Sequence, residues 1–133
     1  MKQKLSLVTL GVSDLMAART FYEDVLGFEP APESSESVAF YDMQGTWLGL
    51  YLADALAEDA QVAPESDGFR QVTLAHNESS REAVDSLFDD LRNQGVEIVK
   101  EPQETSWGGY SGYFADIDGH LWEVAYNPFM DLT

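Results

Sequence analysis

Two strands joined by a tight turn are predicted by the stretch Trp107-Gly108-Gly109-Tyr110-Ser111-Gly112-Tyr113-Phe114-Ala115-Asp116-Ile117-Asp118-Gly119-His120-Leu121-Trp122-Glu123-Val124. Tyr113 and Phe114 favour extended backbone, and Asp118-Gly119 is a turn dipeptide that tolerates positive φ. Glu123 lies between Trp122 and Val124, so strand alternation points its side chain to the opposite face from theirs. A carboxylate in such an apolar strand either faces solvent or faces a concave site.

The same pattern occurs earlier in the chain, which indicates an internal duplication. Val8-Thr9-Leu10 returns as Val72-Thr73-Leu74, and Phe40-x-Asp42-x-x-Gly45 returns as Phe114-x-Asp116-x-x-Gly119. The sequence predicts the order strand, helix and three strands in each half. In the first half, the first of these three strands is a short extended piece that begins at Phe28. A duplicated βαβββ unit predicts an α+β fold with two half-sheets facing each other across a cleft.

The predicted organisation is one domain over residues 1–133 made of two modules. We assign residues 1–56 to the first βαβββ module, residues 57–68 to an acidic linker and residues 69–133 to the second module. The first strand of the second module is predicted over residues 69–75.

Composition supports a packed protein and excludes several kinds of chemistry. The hydrophobic fraction is 44% and the aromatic fraction 12%, enough for a core, and the absence of cysteine excludes disulfides and thiolate ligands. No apolar run approaches the ~18 residues of a membrane span, and no signal peptide is visible. We therefore expect a cytoplasmic protein without membrane contact.

The charge of the chain is strongly negative. There are 24 acidic and 7 basic residues, a net charge of −17, which repels phosphate backbones and argues against nucleic-acid binding. Such acidity fits a general adaptation, for instance to a saline cytoplasm, or a cleft that attracts a cationic ligand. Composition alone favours the first interpretation.

Three stretches resemble the vicinal oxygen chelate superfamily, which includes glyoxalase I, bleomycin-resistance proteins and extradiol dioxygenases. They are Leu10-Gly11-Val12-Ser13-Asp14-Leu15, Phe21-Tyr22-Glu23-Asp24-Val25-Leu26-Gly27-Phe28 and the segment from Tyr113 to Glu123. The resemblance covers nearly the whole chain. It implies a U-shaped mixed sheet that cups a small ligand, with the helices outside.

In metal-using members, the resemblance implies ligands on the first and last strand of each module. Those positions fall at Gln71 and Glu123 in the second module, and at Leu7 and Gly49 in the first. Leu7 and Gly49 have no donor atom, so at most two of the four expected ligands are present. Because catalytic divalent sites generally use about three protein ligands, we expect no metal cofactor; if one binds, Glu123 and Gln71 are its ligands.

Seven residues are our candidates for the site. Glu123 is the catalytic candidate, either pairing a ligand cation or acting as a general base. The ligand-binding candidates are amide, imidazole and aromatic side chains: Trp47, Gln71, His76, Trp107, Tyr110 and Trp122. Two glycines follow Trp107, which favours a mobile aromatic lid at the cleft mouth.

Two functions from different classes fit these observations. The first is a bleomycin-resistance-like protein that binds a small aromatic or cationic molecule without a complete metal site. The second is an enzyme of the glyoxalase or dioxygenase type, with a metal held by Glu123 and Gln71; metal-free chemistry with Glu123 as base stays open. In either case we expect a homodimer, because half-open sheets leave exposed edges.

Overall fold

A strand followed by a helix opens each half of the chain in the computed structural model, which describes residues 1, 3, 5–61, 63, 64, 68, 70–130 and 133. The chain divides into two units, Met1–Gly68 and Phe69–Thr133. Each unit is a mixed sheet with helices, which confirms the predicted α+β class with two tandem modules.

The described residues of the first unit form three strands and two α-helices. Its elements in chain order are β1 (Leu7–Val12), α1 (Leu15–Thr20) with a π-helical turn (Phe21–Val25), β2 (Val38–Asp42), β3 (Trp47–Leu52) and α2 (Ala53–Ala60). The sheet order is β1-β3-β2, with β1 parallel and β2 antiparallel to β3. Asp14 caps α1, since its Oδ1 accepts a hydrogen bond from the Ala17 amide at 3.0 Å.

The second unit contains the complete βαβββ pattern. Its elements are β4 (Leu74–Asn77), α3 (Arg81–Asn93), β5 (Glu97–Glu104), β6 (Tyr110–Ala115) and β7 (Leu121–Tyr126). The sheet order is β4-β7-β6-β5, with β4 parallel to β7 and the other pairs antiparallel. Ser80 caps α3, because its hydroxyl accepts a hydrogen bond from the Ala83 amide at 3.1 Å.

The extended piece expected at Phe28 is not a strand, which corrects the four-strand prediction for the first module. The Phe28 amide donates to the Tyr22 carbonyl at 2.9 Å and so belongs to the helix end. Pro30 and Pro32 have no N–H, and proline cannot donate to a strand ladder. A single backbone bond, from the Ala31 amide to the Phe40 carbonyl at 2.7 Å, joins this segment to β2.

Helix α2 continues into the stretch that the sequence assigned to a linker. Its eight residues include four alanines, the best helix former, and it ends where Gln61 adopts a left-handed conformation with φ of 57°. It packs closely on β1, since a Cβ on Gly11 would lie 3.2 Å from Ala53 Cα. Residues 57–60 are therefore helical, whereas residues 62 and 65–67 of that stretch lie outside the described part of the chain.

The core of the first unit lies between one face of its sheet and α1 with its π-helical turn. Alternate residues of the three strands are buried on this face: Leu10, Val12, Ala39, Tyr41, Leu48 and Leu50. Tyr22 stacks on Tyr41 with ring centroids 6.1 Å apart. Glu23 Oε1 accepts hydrogen bonds from the Tyr41 hydroxyl at 3.2 Å and from Arg19 Nε at 2.7 Å.

The buried Tyr41 predicts a loss of stability at alkaline pH. Burial raises the pKa of Tyr41 above its ordinary value, and the Glu23 carboxylate raises it further by its charge and its hydrogen bond. The unfolded chain therefore loses this proton first, near pH 10, and the stability falls as the pH rises above that value. By about pH 11 we expect this group to cost the folded state about 1 kcal/mol. Urea unfolding at rising pH measures this effect, and parallel stability curves for the wild type and Tyr41→Phe would contradict it.

The core of the second unit lies between its sheet and α3. Val84, Phe88 and Leu91 form the buried face of the helix. Gly112 makes room for it, since a Cβ there would lie 2.6 Å from Phe88 Cζ and 2.8 Å from the Lys100 carbonyl oxygen. Strand alternation therefore places the neighbouring Tyr113 on the sheet face opposite α3.

Of the helices described, none combines the length and the apolar character needed to cross a membrane.

Candidate functional site

A pocket lies on the face of the first sheet that is opposite α1. It has a volume of about 270 Å³ and is lined by Ser6, Leu7, Glu33, Phe40 and Trp47. The rings of Phe40 and Trp47 meet edge to face, with centroids 6.1 Å apart and planes at 64°. The pocket walls are therefore mainly apolar and aromatic.

Strand register explains why these residues meet. Leu7 pairs with Trp47 across β1 and β3, and Phe40 pairs with Gly49 across β2 and β3. Paired residues share a face, so all four belong to the same surface. A Cβ on Gly49 would lie 3.4 Å from Phe40 Cε1 and 3.5 Å from Leu7 Cδ1. The Phe40 and Leu7 side chains therefore lie on either side of Gly49.

Glu33 reaches the pocket from a short turn rather than from a strand. The Ser34 amide donates to the Ala31 carbonyl at 3.0 Å, which closes a turn with Pro32 and Glu33 at its centre. Proline is favoured at the first central position of such turns because its φ is already fixed. The Ser34 hydroxyl also accepts from the Phe40 amide at 2.9 Å, so the turn is attached to the strand that carries Phe40.

On the second sheet, three charged and polar residues lie in one row across the strands. Lys100 pairs with Tyr113 and Tyr113 pairs with Glu123, so these side chains share the face opposite α3. The Lys100 ammonium lies 5.7 Å from the centroid of the Tyr113 ring. Burial raises the pKa of Tyr113, and the adjacent, hydrogen-bonded Glu123 carboxylate raises it further. Glu123 is thus placed as strand alternation predicts.

Three candidate ligand-binding residues lie on the helix side of the second sheet. Trp122 is buried and stacks on Phe114 with centroids 6.2 Å apart and planes at 5°. His76 pairs with Val124, which puts it on the face opposite Glu123, and its Nε2 lies 3.0 Å from Glu78 Oε1.

Tyr110 is the third residue on this side. Its hydroxyl donates to Asp85 Oδ1 of α3 at 2.8 Å, and the Arg81 guanidinium lies 5.8 Å from its ring centroid. The structure therefore does not bring Tyr110, Trp122 or His76 together with Glu123.

Gln71 lies before the strand that was expected to contain it. The strand predicted over residues 69–75 begins instead at Leu74, and Gln71 is exposed with a left-handed φ of 60°. Because Gln71 precedes the β4–β7 pairing, the ladder does not fix its side chain beside Glu123.

Trp107 lies in a closed hairpin turn between β5 and β6, not in an open loop. Thr105 closes the turn: its amide donates to the Gly109 carbonyl at 2.9 Å, and its hydroxyl accepts from the Gly109 amide at 2.9 Å. The indole lies over Gly109, where any Cβ would overlap the ring, and Trp107 is 47% exposed. The two glycines thus serve turn geometry and ring packing.

The donor set does not fit a divalent metal. Leu7 and Gly49 have no donor atom, and Leu7 is a wall of the apolar pocket. Within the described residues, no group of three His, Asp or Glu side chains could hold a metal ion. Because catalytic divalent sites generally use about three protein ligands, the donors at these four positions fall short of such a set.

Sequence reasoning missed Ser6, Glu33 and Phe40 of the pocket, and Lys100 and Tyr113 of the second face. Phe40 belongs to the repeated sequence pattern, and its spacing of two residues from Asp42 predicts that both side chains lie on the same face of a strand. Tyr113 and Glu123 lie at equal distances on the two sides of Asp118 in the turn, and such residues pair across a hairpin. No comparable signal marks Glu33, which lies in an irregular segment.

Comparison with known proteins identifies relatives along the whole chain. The family model described as "Glyoxalase/Bleomycin resistance protein/Dioxygenase superfamily" matches residues 4–124. "Metallothiol transferase FosB" of Lysinibacillus sphaericus is 29% identical over 129 residues, 97% of this chain and 86% of that protein. "Fosfomycin resistance protein FosX" of Listeria monocytogenes is 29% identical over 126 residues, covering 90% and 86%.

Solved structures resemble this chain over similar lengths. A glyoxalase-related enzyme from Fulvimarina pelagi is 33% identical, with a TM-score of 0.88 over 99% of this chain and 94% of that one. The FosX structure from Listeria monocytogenes is 27% identical, with a TM-score of 0.73 over 97% of each chain.

Proposed function

The chain belongs to the Glyoxalase/Bleomycin resistance protein/Dioxygenase superfamily, and from this premise we propose that it binds a small organic molecule in the aromatic pocket of its first unit, without a divalent metal. The observation that carries this proposal is the pocket lined by Leu7, Phe40 and Trp47. Small-molecule sites are concave and mostly apolar, with few polar groups that orient the ligand. A volume of about 270 Å³ is close to the lower end of such sites, about 300 Å³.

The metal-free part of the proposal rests on side-chain chemistry. Hydrocarbon at Leu7 and a bare backbone at Gly49 occupy the positions where metal-using members are expected to carry donors. An apolar wall at Leu7 favours desolvation of an organic ligand instead.

A second candidate function is metal-dependent resistance chemistry, and the names of the relatives favour it. They are called metallothiol transferase and fosfomycin resistance protein. The row of Lys100, Tyr113 and Glu123 also offers a cation, a hydroxyl and a carboxylate on one surface. This candidate requires a metal held by Glu123 and Gln71 with ligands from outside the positions considered above.

We also propose a homodimer as the assembly. Apolar side chains are exposed in the second unit, among them Val72 before β4 and Val99 in β5. Pairing of two copies would remove such surface and the strand edges beside it from water.

The binding proposal is tested by NMR titration of the full chain with benzyl alcohol, a small neutral aromatic probe. Trp47 is the tryptophan of the first unit, and Trp107 and Trp122 of the second serve as internal controls. We expect the Trp47 indole N–H resonance, assigned with Trp47→Phe, to shift equally with and without EDTA. The other two indole resonances should stay unchanged.

Two results would decide against this function. An unmoved Trp47 resonance would remove the pocket as the binding site. Binding of about one Ni²⁺, Zn²⁺, Mn²⁺ or Fe²⁺ per chain that is lost in Glu123→Ala would favour the metal-dependent candidate instead.

A further inference from the structure

We propose that the sheet of the second unit binds small zwitterions, molecules of the amino-acid class that carry both an ammonium and a carboxylate group. In this site Lys100 pairs with the carboxylate of the ligand and Glu123 pairs with its ammonium group. Both residues lie on the sheet face opposite α3, one on each side of Tyr113. The inference concerns this face alone and does not depend on the aromatic pocket of the first unit.

The register of three strands places opposite charges on the two sides of one tyrosine. Lys100 of β5 pairs with Tyr113 of β6, and Tyr113 pairs with Glu123 of β7. Neighbouring strands lie about 5 Å apart, so one small molecule over Tyr113 can reach both charged side chains. The Lys100 ammonium lies 5.7 Å from the centroid of the Tyr113 ring. Burial raises the pKa of Tyr113 and the charge of the Glu123 carboxylate raises it further, which is the effect of a carboxylate close to the phenol.

This face is open to a ligand beside Glu123. Lys100, Tyr113 and Glu123 are half-buried, so each side chain keeps part of its surface in contact with water. On the side of Glu123 away from Tyr113, its partner across β4 and β7 is the exposed Ala75. A methyl group there leaves space that a longer side chain would fill. The carboxylate can therefore be approached from the β4 side of the row.

The ion pairs of the chain leave these two charges available. Acidic residues outnumber basic ones 24 to 7, and Arg19, Arg81 and Arg92 each bind a carboxylate. Within the part of the chain that the structure describes, neither Lys100 nor Glu123 belongs to an ion pair. A lysine that stands apart from the carboxylates of so acidic a protein can receive the anionic group of a ligand.

A zwitterion satisfies both charges of the row, whereas an ion of one sign satisfies only one. A simple carboxylate is repelled by the net charge of −17 and brings its own charge towards Glu123. A simple amine is attracted by the protein but brings its charge towards Lys100. Since one partly exposed ion pair contributes about 1 kcal/mol or less, selective binding needs both pairs together. The expected order of affinity is therefore zwitterion, amine, carboxylate.

Three probes with the same four-carbon chain test this order: 4-aminobutyrate, butylamine and butyrate. Titrations of the full chain are followed by NMR at the backbone amide resonances of Lys100, Tyr113 and Glu123. We expect 4-aminobutyrate to bind about fivefold more tightly than butylamine, and butyrate to bind more weakly than both. Raising the NaCl concentration should weaken the binding of 4-aminobutyrate, because both of its contacts are ionic.

Variants that keep the size of each side chain isolate the two charges. In Lys100→Met we expect the affinity for 4-aminobutyrate to fall about fivefold, to that of butylamine for the wild type, whereas Lys100→Arg retains the preference. In Glu123→Gln we expect the preference over butyrate to disappear. Glu36→Gln removes one acidic charge from an exposed loop position of the first unit and should leave all three affinities unchanged. The amide–nitrogen correlation spectrum of each variant reports whether its fold is intact.

Two results would overturn the zwitterion site: equal affinities of the three probes for the wild type, or an unchanged preference in a folded Lys100→Met. Equal losses in Glu123→Gln and Glu36→Gln would also overturn it, since the effect would then come from the overall charge. The Trp47 indole resonance separates this outcome from the proposed function. If benzyl alcohol shifts that resonance and 4-aminobutyrate shifts none of the three amides, the aromatic pocket stands and the zwitterion site fails.

Discussion

Replacing Phe88 with alanine is expected to lower the free energy of unfolding by about 3–5 kcal/mol. Phe88 is fully buried on the inner face of α3. Its Cζ atom lies so close to Gly112 that a Cβ on that glycine would be only 2.6 Å away. Truncation removes apolar area and leaves a cavity against a backbone that lacks a side chain to fill it. Urea unfolding followed by the fluorescence of Trp122, which stacks on Phe114 in the same core, measures the loss.

The matched control is Phe129→Ala, the same substitution in the same unit. Phe129 is 77% exposed and lies against the glycine turn at Gly108. Substitutions at such positions usually change stability by no more than about 0.5 kcal/mol. Similar losses in Phe88→Ala and Phe129→Ala would mean that α3 does not pack on the sheet as described.

This core also decides which residues reach the opposite face. Because Phe88 packs against Gly112, the neighbouring Tyr113 faces away from α3, and its partner Glu123 faces away with it. Lys100 lies on this face as well, because it pairs with Tyr113 across β5 and β6. The chemistry of this surface therefore depends on a packing contact on the other side of the sheet.

Much of the fold could be predicted because it depends on turn residues and on the spacing of apolar residues, which are evident in this sequence. The turn dipeptide Asp118-Gly119 and the apolar spacing of α3 predict elements that the structure contains. The strand predicted at Phe28 does not form, because two prolines remove backbone N–H donors and the segment cannot join the sheet. The late start of β4 has no local signal, since Val72 and Thr73 favour strands as much as Leu74 does.

The candidate site was harder to predict because it depends on strand parity and on a loop. Trp122 adjoins Glu123 in one strand, so the two side chains lie on opposite faces of the sheet. By the same alternation, His76 and Tyr110 lie on the sheet face opposite Glu123. Glu33 reaches the pocket through hydrogen bonds between the loop and β2, which strand periodicity does not encode. The direction of the Glu123 side chain could be predicted, because strand alternation alone fixes it.

Replacing Trp47 with alanine is expected to weaken the binding of benzyl alcohol by about thirtyfold, equivalent to ~2 kcal/mol. Trp47 supplies a wall of the pocket and packs edge to face on Phe40, so its loss removes contact area and a π system together. Ligand-observed saturation-transfer NMR or calorimetry measures the affinity without relying on the deleted indole.

Trp107→Ala is the matched control, and it distinguishes two roles that the sequence left open for an exposed tryptophan. Trp107 lies over Gly109 in the closed turn between β5 and β6, and it is not among the pocket residues. We therefore expect its removal to leave the affinity within about twofold of the wild type, since no pocket contact is lost. The opposite order, with Trp107→Ala losing binding and Trp47→Ala keeping it, would make the hairpin turn the aromatic lid and move the site to the second unit. Because both variants delete one indole, the difference between them depends on where the indole stands.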